Sequence, residues 1–376
     1  MSKPERVFAA LRGDEVDRVP VSAWWHDFAR EWSSEGLAEA TLEAYRRYDW
    51  DFIKVNPRAC YYAEDWGARY VQSDQPYQQP KLIEPGVTSP ADLRRIQPLD
   101  VSRGAYGEQL DALAIIAGEL NGEAPFIQTV FSPLAAMSRL TGSTKYVQKL
   151  MREAPDDLLA ALAPVTETLA AYSAACLERG ASGIFFATVE WGSADNISPE
   201  DYDRFARPFD LRVLAAAQSA PFNLFHVCRD NNHLTRLLDY PVHAFQWGSR
   251  SPTNPSLSDI VPMTDMALVG GVATMLASIV DHIIITRTFQ LKRVAQIKDT
   301  RIMRLSTRLF NRMPWLTIVF FAFSPVPFYP IRVVAPMASY PLTGYVSAVV
   351  SGRIPRYFLL ALGGVWAKHL TLSYFS

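Results

Sequence analysis

Seven short apolar runs, rich in β-branched and aromatic residues, recur along the first 272 residues of this 376-residue chain with helical stretches between them. They read RVPVSAWW (18–25), DFIKVNP (51–57), PFIQTVF (125–131), SGIFFATV (182–189), FNLFHV (222–227), HAFQW (243–247) and MALVGGV (266–272). Two of the intervening stretches carry clear helix signals. Residues 155–180 begin with Pro155 and two aspartates and end at Gly180, which suits the helix dipole and a left-handed stop. Residues 198–220 begin with Ser198 as N-cap, Pro199 at the first helical position and acids in the first turn. Alternation repeated this often predicts a parallel α/β fold. With no dinucleotide glycine fingerprint, the pattern favours a (β/α)8 barrel over a doubly wound sheet. In a barrel, chemistry sits at the C-terminal ends of the strands.

That rule nominates a site. The first expected strand ends in Trp24, Trp25, His26 and Asp27, and the second in Asn56 and Arg58, with Glu64 and Asp65 close behind. Later strands end in Glu190 and Trp191, in His226 and Cys228, and in Gln246 and Trp247. His26, Asn56, Arg58 and Glu190 are the candidate catalytic residues, and Trp25 and Trp247 the candidate substrate contacts. Plainer roles compete with these: rim packing for tryptophans, caps or solvated loop charges for carboxylates. In FHVCRDNNH (225–233), His226 and Cys228 stand two apart on one strand and share a face. A thiolate and an imidazole side by side at a barrel mouth are two of the three protein ligands that a catalytic zinc requires. The plainer reading is a buried free cysteine beside a hydrogen-bonded histidine. His233, seven residues on, is expected as a capping or surface residue.

Several stretches resemble the uroporphyrinogen decarboxylase superfamily: RVFAALRGDEVDRVPV, DFIKVNPRACYYAEDWG, SPEDYDRFARPFDLRVLAAA, FHVCRDNNHLTRLLDYPVHAFQWG, NPSLSDI and MTDMALVGGV. They run in order from residue 1 to about 272. The resemblance implies a TIM barrel and one of two chemistries: decarboxylation of a tetrapyrrole without a cofactor, or corrinoid-dependent methyl transfer in which zinc activates a thiol. The decarboxylases carry an aspartate after strand two, where this chain reads VNPRAC; of their arginine-rich segment after strand one, only Arg30 is matched in WWHDFAREW. The methyltransferases use H-x-C on strand five, which His226 and Cys228 match. Their third zinc ligand is a cysteine at the end of strand eight, and no cysteine follows Cys228 here.

The charge balance changes sign near the end of that resemblance. From residue 261 onward there are three acids against twelve Lys or Arg, whereas residues 1–260 hold 35 acids and 25 bases. Residues 313–331 and 333–352 are uncharged runs on either side of Arg332, long enough to be membrane-span candidates. Prolines 325, 327, 330, 336 and 341 break them, which is tolerated at membrane depth only where protein or a water cavity satisfies the freed backbone. Arg332 is therefore a candidate membrane-site residue, its alternative role being to snorkel to headgroups. Eight Lys or Arg within 287–312 place that loop in the cytoplasm, so 273–286 should lie on or dip into the membrane without spanning. Residues 311–364 resemble part of the DedA family (the VTT, SNARE-associated or TVP38-like membrane domain), which implies transport or lipid handling.

Together these readings divide the chain into an incomplete barrel (1–272), lacking its last strand, and an all-α partial DedA-like segment with broken helices (273–376). Cys60, Cys176 and Cys228 are too few and too odd in number for a disulfide framework, and the N-terminus has no apolar core of a secretory signal. The expectation is a cytoplasmic barrel attached to the inner membrane, with a small-molecule substrate, membrane lipid at the C-terminal half, zinc as the only cofactor and no nucleic acid. A homodimer in which another copy supplies strand eight fits the same reading. The alternatives are a DedA-like transporter, or a fusion of two incomplete modules with little activity.

Overall fold

The computed structural model describes residues 1–72, 78–270, 310, 312–323, 340–341 and 343–355. The chain divides into two units, Met1–Pro255 with Met263–Val269, and Ser256–Pro262 with Gly270–Ser376. The strands of the first unit are β1 (Ile53–Val55), β2 (Arg69–Val71), β3 (Lys81–Glu84), β4 (Phe126–Phe131), β5 (Gly183–Ala187), β6 (Leu224–Val227), β7 (Ala244–Trp247) and β8 (Ala267–Val269). Six of them make one curled parallel sheet in the order β1-β4-β5-β6-β7-β8; β2 and β3 form a separate antiparallel hairpin. The sheet is half a barrel with helices packed on it, a partial TIM-barrel arrangement.

Register explains what faces inward. Lys54 lies opposite Ile127, Phe185 opposite Leu224, and His226 between Ala187 and Gln246. Residues two apart share a face, so Asn56 follows Lys54 inward and Cys228 follows His226. The start of the sheet is apolar and closed. Val7, Phe8 and Leu11, on the helix Lys3–Arg12, pack against Phe52, Ile127, Phe222, Leu224 and Ala244.

On the outer face, the helix Pro155–Glu178 buries Leu158, Leu162, Leu169 and Tyr172 against β4, β5 and the helix Arg207–Ala216. Gly180 follows it with φ +91°, a conformation that a side chain would strain. Among the described residues this is the one helix long and apolar enough to cross a membrane, and its apolar face is part of the protein core.

Two expectations are corrected. Residues 18–25 are not a strand. Pro20 has no N–H to give to a ladder, and the Val21 N–H goes to the Asp51 carboxylate at 2.7 Å. In place of a ladder, Asp51 N to Val21 O (2.8 Å), Ser22 Oγ to Phe52 O (2.7 Å) and the Arg18 and Val21 bonds to the Asp51 carboxylate tie the segment to the start of β1. Residues 198–220 form two helices, Pro199–Phe205 and Arg207–Ala216. Ser198 does cap the first, accepting from Asp201 N. Pro208 supplies no N–H to continue the helix, which restarts around Ala206.

In the second unit, Pro314–Phe323 is an uncharged helix and residues 343–355 are helical. Trp315 Nε1 donates to Ser347 Oγ at 3.1 Å. A Cβ on Gly352 would stand 2.6 Å from both Val319 O and the Ala322 Cβ, so glycine allows this close approach. The runs 313–331 and 333–352 are thus described only in part. The expected surface-lying segment 273–286 and Arg332 lie outside the described residues.

Candidate active site

The mouth of the half-barrel is built from the ends of β1 and β6. Lys54 is only 9% exposed, with its Nζ 4.4 Å from the centre of the Phe185 ring and 5.7 Å from that of Trp24. It donates to Asn56 Oδ1, and Asn56 Nδ2 donates to Trp25 O at 2.7 Å, which fixes the amide. Among the described residues Lys54 makes no ion pair with a carboxylate. Burial lowers its pKa to about 7, against the weaker pull of Cys228 and Glu31.

His226 Nδ1 lies 3.3 Å from Gln246 O, and the ring leans on Phe185 at 5.3 Å between centres. The carbonyl can only accept, so Nδ1 carries the hydrogen and Nε2 keeps a lone pair. Burial, then the charge of Lys54, lowers its pKa to about 4, leaving a neutral imidazole at pH 7. Cys228 is half-buried. Burial pushes its thiol up to about 12, opposed by a hydrogen bond from the Val189 backbone and by Arg229 and Lys54. Val189 makes that contact at φ +52°, an unusual conformation for a β-branched residue. Gly192 in the same turn has no room for a side chain: a Cβ would lie 2.6 Å from Thr188 Oγ1 and 2.8 Å from Cys228 O.

Beside Lys54 is a cavity of about 180 Å³ lined by, among others, Trp24, Trp25, Glu31, Trp50, Lys54 and Asn56. Glu31 is buried, accepts from Asp27 N at 2.7 Å, and holds His26 Nδ1 at 2.9 and 3.1 Å. His26 stacks on Phe28 at 4.3 Å, so the imidazole is oriented by a carboxylate on one side and a ring on the other.

Other expected residues do not join this group. Arg58 is buried and saturated: Glu64 binds it at 2.8 and 2.9 Å, Glu108 and the Glu31 carbonyl take Nη1, and it lies over Trp32. Asp65 caps the helix Gly104–Leu120, accepting from Ala105 N and Tyr106 N. Trp247 is buried and donates to Pro255 O at 2.7 Å; Trp191 is buried and donates to Ser138 Oγ at 2.9 Å. Trp25 is half exposed, edge-on to Tyr48 and Trp50. Glu190 accepts from Thr144 Oγ1 at 3.3 Å and lines a shallow depression with Asp195, Arg229 and Asp230. His233 is buried, not at the surface, with Nε2 3.1 Å from Ile197 O.

His226 offers Nε2 and Cys228 its sulfur, and among the described residues no group of three His, Cys, Asp or Glu side chains could hold a metal ion. The third ligand that a zinc ion would need is therefore not among the described residues, and no chemical step is routed through a metal here.

Inward-facing polar groups at the C-terminal ends of parallel strands are the arrangement expected of a TIM-barrel enzyme. The family model described as uroporphyrinogen decarboxylase (URO-D) matches residues 28–291. The chain belongs to the URO-D family. The match continues past Val272 into residues beyond those described. The curated uroporphyrinogen decarboxylase of Syntrophotalea carbinolica is 26% identical over 155 residues, which are 40% of this chain and 44% of that one. The chain therefore spans under half the length of that relative. A methyltransferase from Methanosarcina mazei shares the fold, with a TM-score of 0.56 at 19% identity over 71% of this chain and 92% of that structure.

Lys54, Glu31 and Val189 were missed from sequence. A lysine inside an apolar strand, two residues before Asn56, was the available signal for the first. Glu31 and Val189 carry none, because their partners come from loop geometry.

Proposed function

We propose that the barrel of this URO-D family member is a methyltransferase-like enzyme domain acting on a small molecule at the C-terminal mouth of the sheet. One observation carries the reading: β6 bears His226 near its C-terminal end and Cys228 follows directly after it, with the imidazole neutral and the thiol met by the Val189 N–H from a residue at positive φ. A sulfur at the mouth of the sheet, met by a backbone N–H that favours its thiolate, suits transfer of an alkyl group to or from sulfur. Decarboxylation of a tetrapyrrole is less well supported. Asn56 stands where the resemblance leads one to expect an acid, and Arg58 is consumed by Glu64 and Glu108.

The test uses the full chain with methylcobalamin and a small thiol in one assay and uroporphyrinogen in another. Methyl transfer should be measurable, and His226→Ala should lower it by about 100-fold. Carbon dioxide release from uroporphyrinogen that is unaffected by His226→Ala and Cys228→Ser would overturn the reading.

A second reading concerns attachment of the C-terminal part to a cytoplasmic membrane face. Leu316, Phe320 and Phe323 on the uncharged helix Pro314–Phe323 are all more than 40% exposed, an apolar surface that lipid would cover. A DedA-like role remains part of that proposal. Membrane fractionation followed by a carbonate wash checks it: retention supports insertion, and release of the chain removes it.

A further inference from the structure

Lys54 has a buried amine, a cavity beside it, and no part in the alkyl-transfer reading. The end of β1 holds it on the inner face, where Asn56 accepts one N–H and the faces of Phe185 and Trp24 enclose the side chain. Asn56 is itself held by Trp25 O, so the amine's position is set by two successive hydrogen bonds. An ammonium buried without a carboxylate partner is costly, and burial therefore favours the neutral form, whose nitrogen keeps a lone pair. Desolvation in a hydrophobic pocket is one of the recognised ways of making a lysine nucleophilic. Lys54 lines the adjoining cavity together with Trp25 and Trp50, so a ligand seated there meets the amine.

We propose that Lys54 captures a small aldehyde or ketone as an imine. The nitrogen lone pair attacks the carbonyl carbon and a C–N bond forms while the C–O π bond breaks. The carbonyl oxygen then leaves as water, carrying the two hydrogens of the neutral amine, and a C=N bond remains. Atoms and charge balance with no other reagent. The imine draws electrons from the neighbouring carbon, which prepares a bond to that carbon for cleavage or proton exchange. This activity is separate from alkyl transfer at Cys228 and does not depend on it.

The experiment traps the imine in the full chain. Pyruvate and acetone serve as an anionic and a neutral probe, each with sodium borohydride, and the reduced adducts are located by peptide mass mapping. Lys54 should be labelled by one of the probes at least about tenfold faster than the exposed Lys149, despite being buried. Cys228→Ser should leave this preference intact, so a chain without methyl-transfer activity can still pass the test. Labelling of Lys54 no faster than Lys149 with both probes overturns the proposal. Lys54→Met, which removes the buried charge and forms no imine, should lose the adduct without losing the fold as judged by circular dichroism.

Discussion

Two buried ionisable groups stand three residues apart on either side of the start of β1, and the structure treats them in opposite ways. At the closed end, Asp51 accepts from Arg6 Nη1 at 2.8 Å, from both terminal nitrogens of Arg18, and from Val21 N. Burial pushes its pKa up, but Arg18, the Val21 N–H and Arg6 together hold it below the ordinary aspartate value. At the open end, Lys54 is enclosed by rings and has an amide for its hydrogen-bond partner, with no carboxylate among the described residues to neutralise it. A charge saturated with partners stabilises a fold. A charge left short of partners is destabilising unless a ligand or a reaction uses it. The same polarity divides barrel enzymes in general, with stability at the bottom and chemistry at the top.

The largest effect should come from breaking the closed end. Asp51→Ala leaves Arg6, Arg18 and the Val21 N–H without their acceptor and should cost about 3 kcal/mol, because a buried pair loses one partner. Urea unfolding checks this, and an unchanged midpoint would remove the structural half of the contrast. Lys54→Met should do the reverse, stabilising the chain by about 1–2 kcal/mol at pH 6 while abolishing imine trapping. Its sign can be worked out. The folded pKa of about 7 lies below the ordinary 10.5, so the cost of burying the ammonium is complete below pH 7 and is relieved as pH rises toward 10.5. The parent should therefore gain stability across that window, and Lys54→Met should show a flatter profile. The smallest effect is expected at the Cys228 turn. Val189→Gly relieves the positive φ and should be neutral or stabilising by up to about 1 kcal/mol. The loosened N–H should meanwhile lower methyl transfer about tenfold through poorer positioning of the sulfur. Equal stability and equal activity would show that the strain at Val189 serves neither end.

Much of the site was legible in sequence where a periodicity could carry it. His226 and Cys228 share a face because side chains alternate along any strand, and that needs no tertiary information. The same rule, applied to DFIKVNP, would have paired Lys54 with Asn56. Reading only the strand end selected Asn56 and Arg58, and passed over the lysine. Arg58 shows the limit from the other side. Glu64, six residues on, takes two of its bonds, but the partner that takes Nη1, Glu108, is fifty residues away on the helix Gly104–Leu120, so nothing local reveals that the guanidinium is fully consumed. RVPVSAWW has the composition of a strand, yet Pro20 and the carboxylate of Asp51 take the backbone away from the ladder.

By itself, the sequence determined the parallel α/β class, the strand that carries His226, and the helix limits at Pro155, Gly180 and Ser198. These follow from period, capping and glycine conformation, which act over a few neighbouring residues. Tertiary structure alone decided which charges are spent and which are left. Asp51, Arg58 and Lys54 are all buried ionisable groups near one strand. Among the described residues, only Arg6, Arg18 and Glu108, arriving from distant segments, together with the nearby Glu64, distinguish the two that are neutralised from the one that is not. Burial and Coulomb interactions depend on distance in space, and residues 6, 18 and 108 become near neighbours of β1 only in the folded chain.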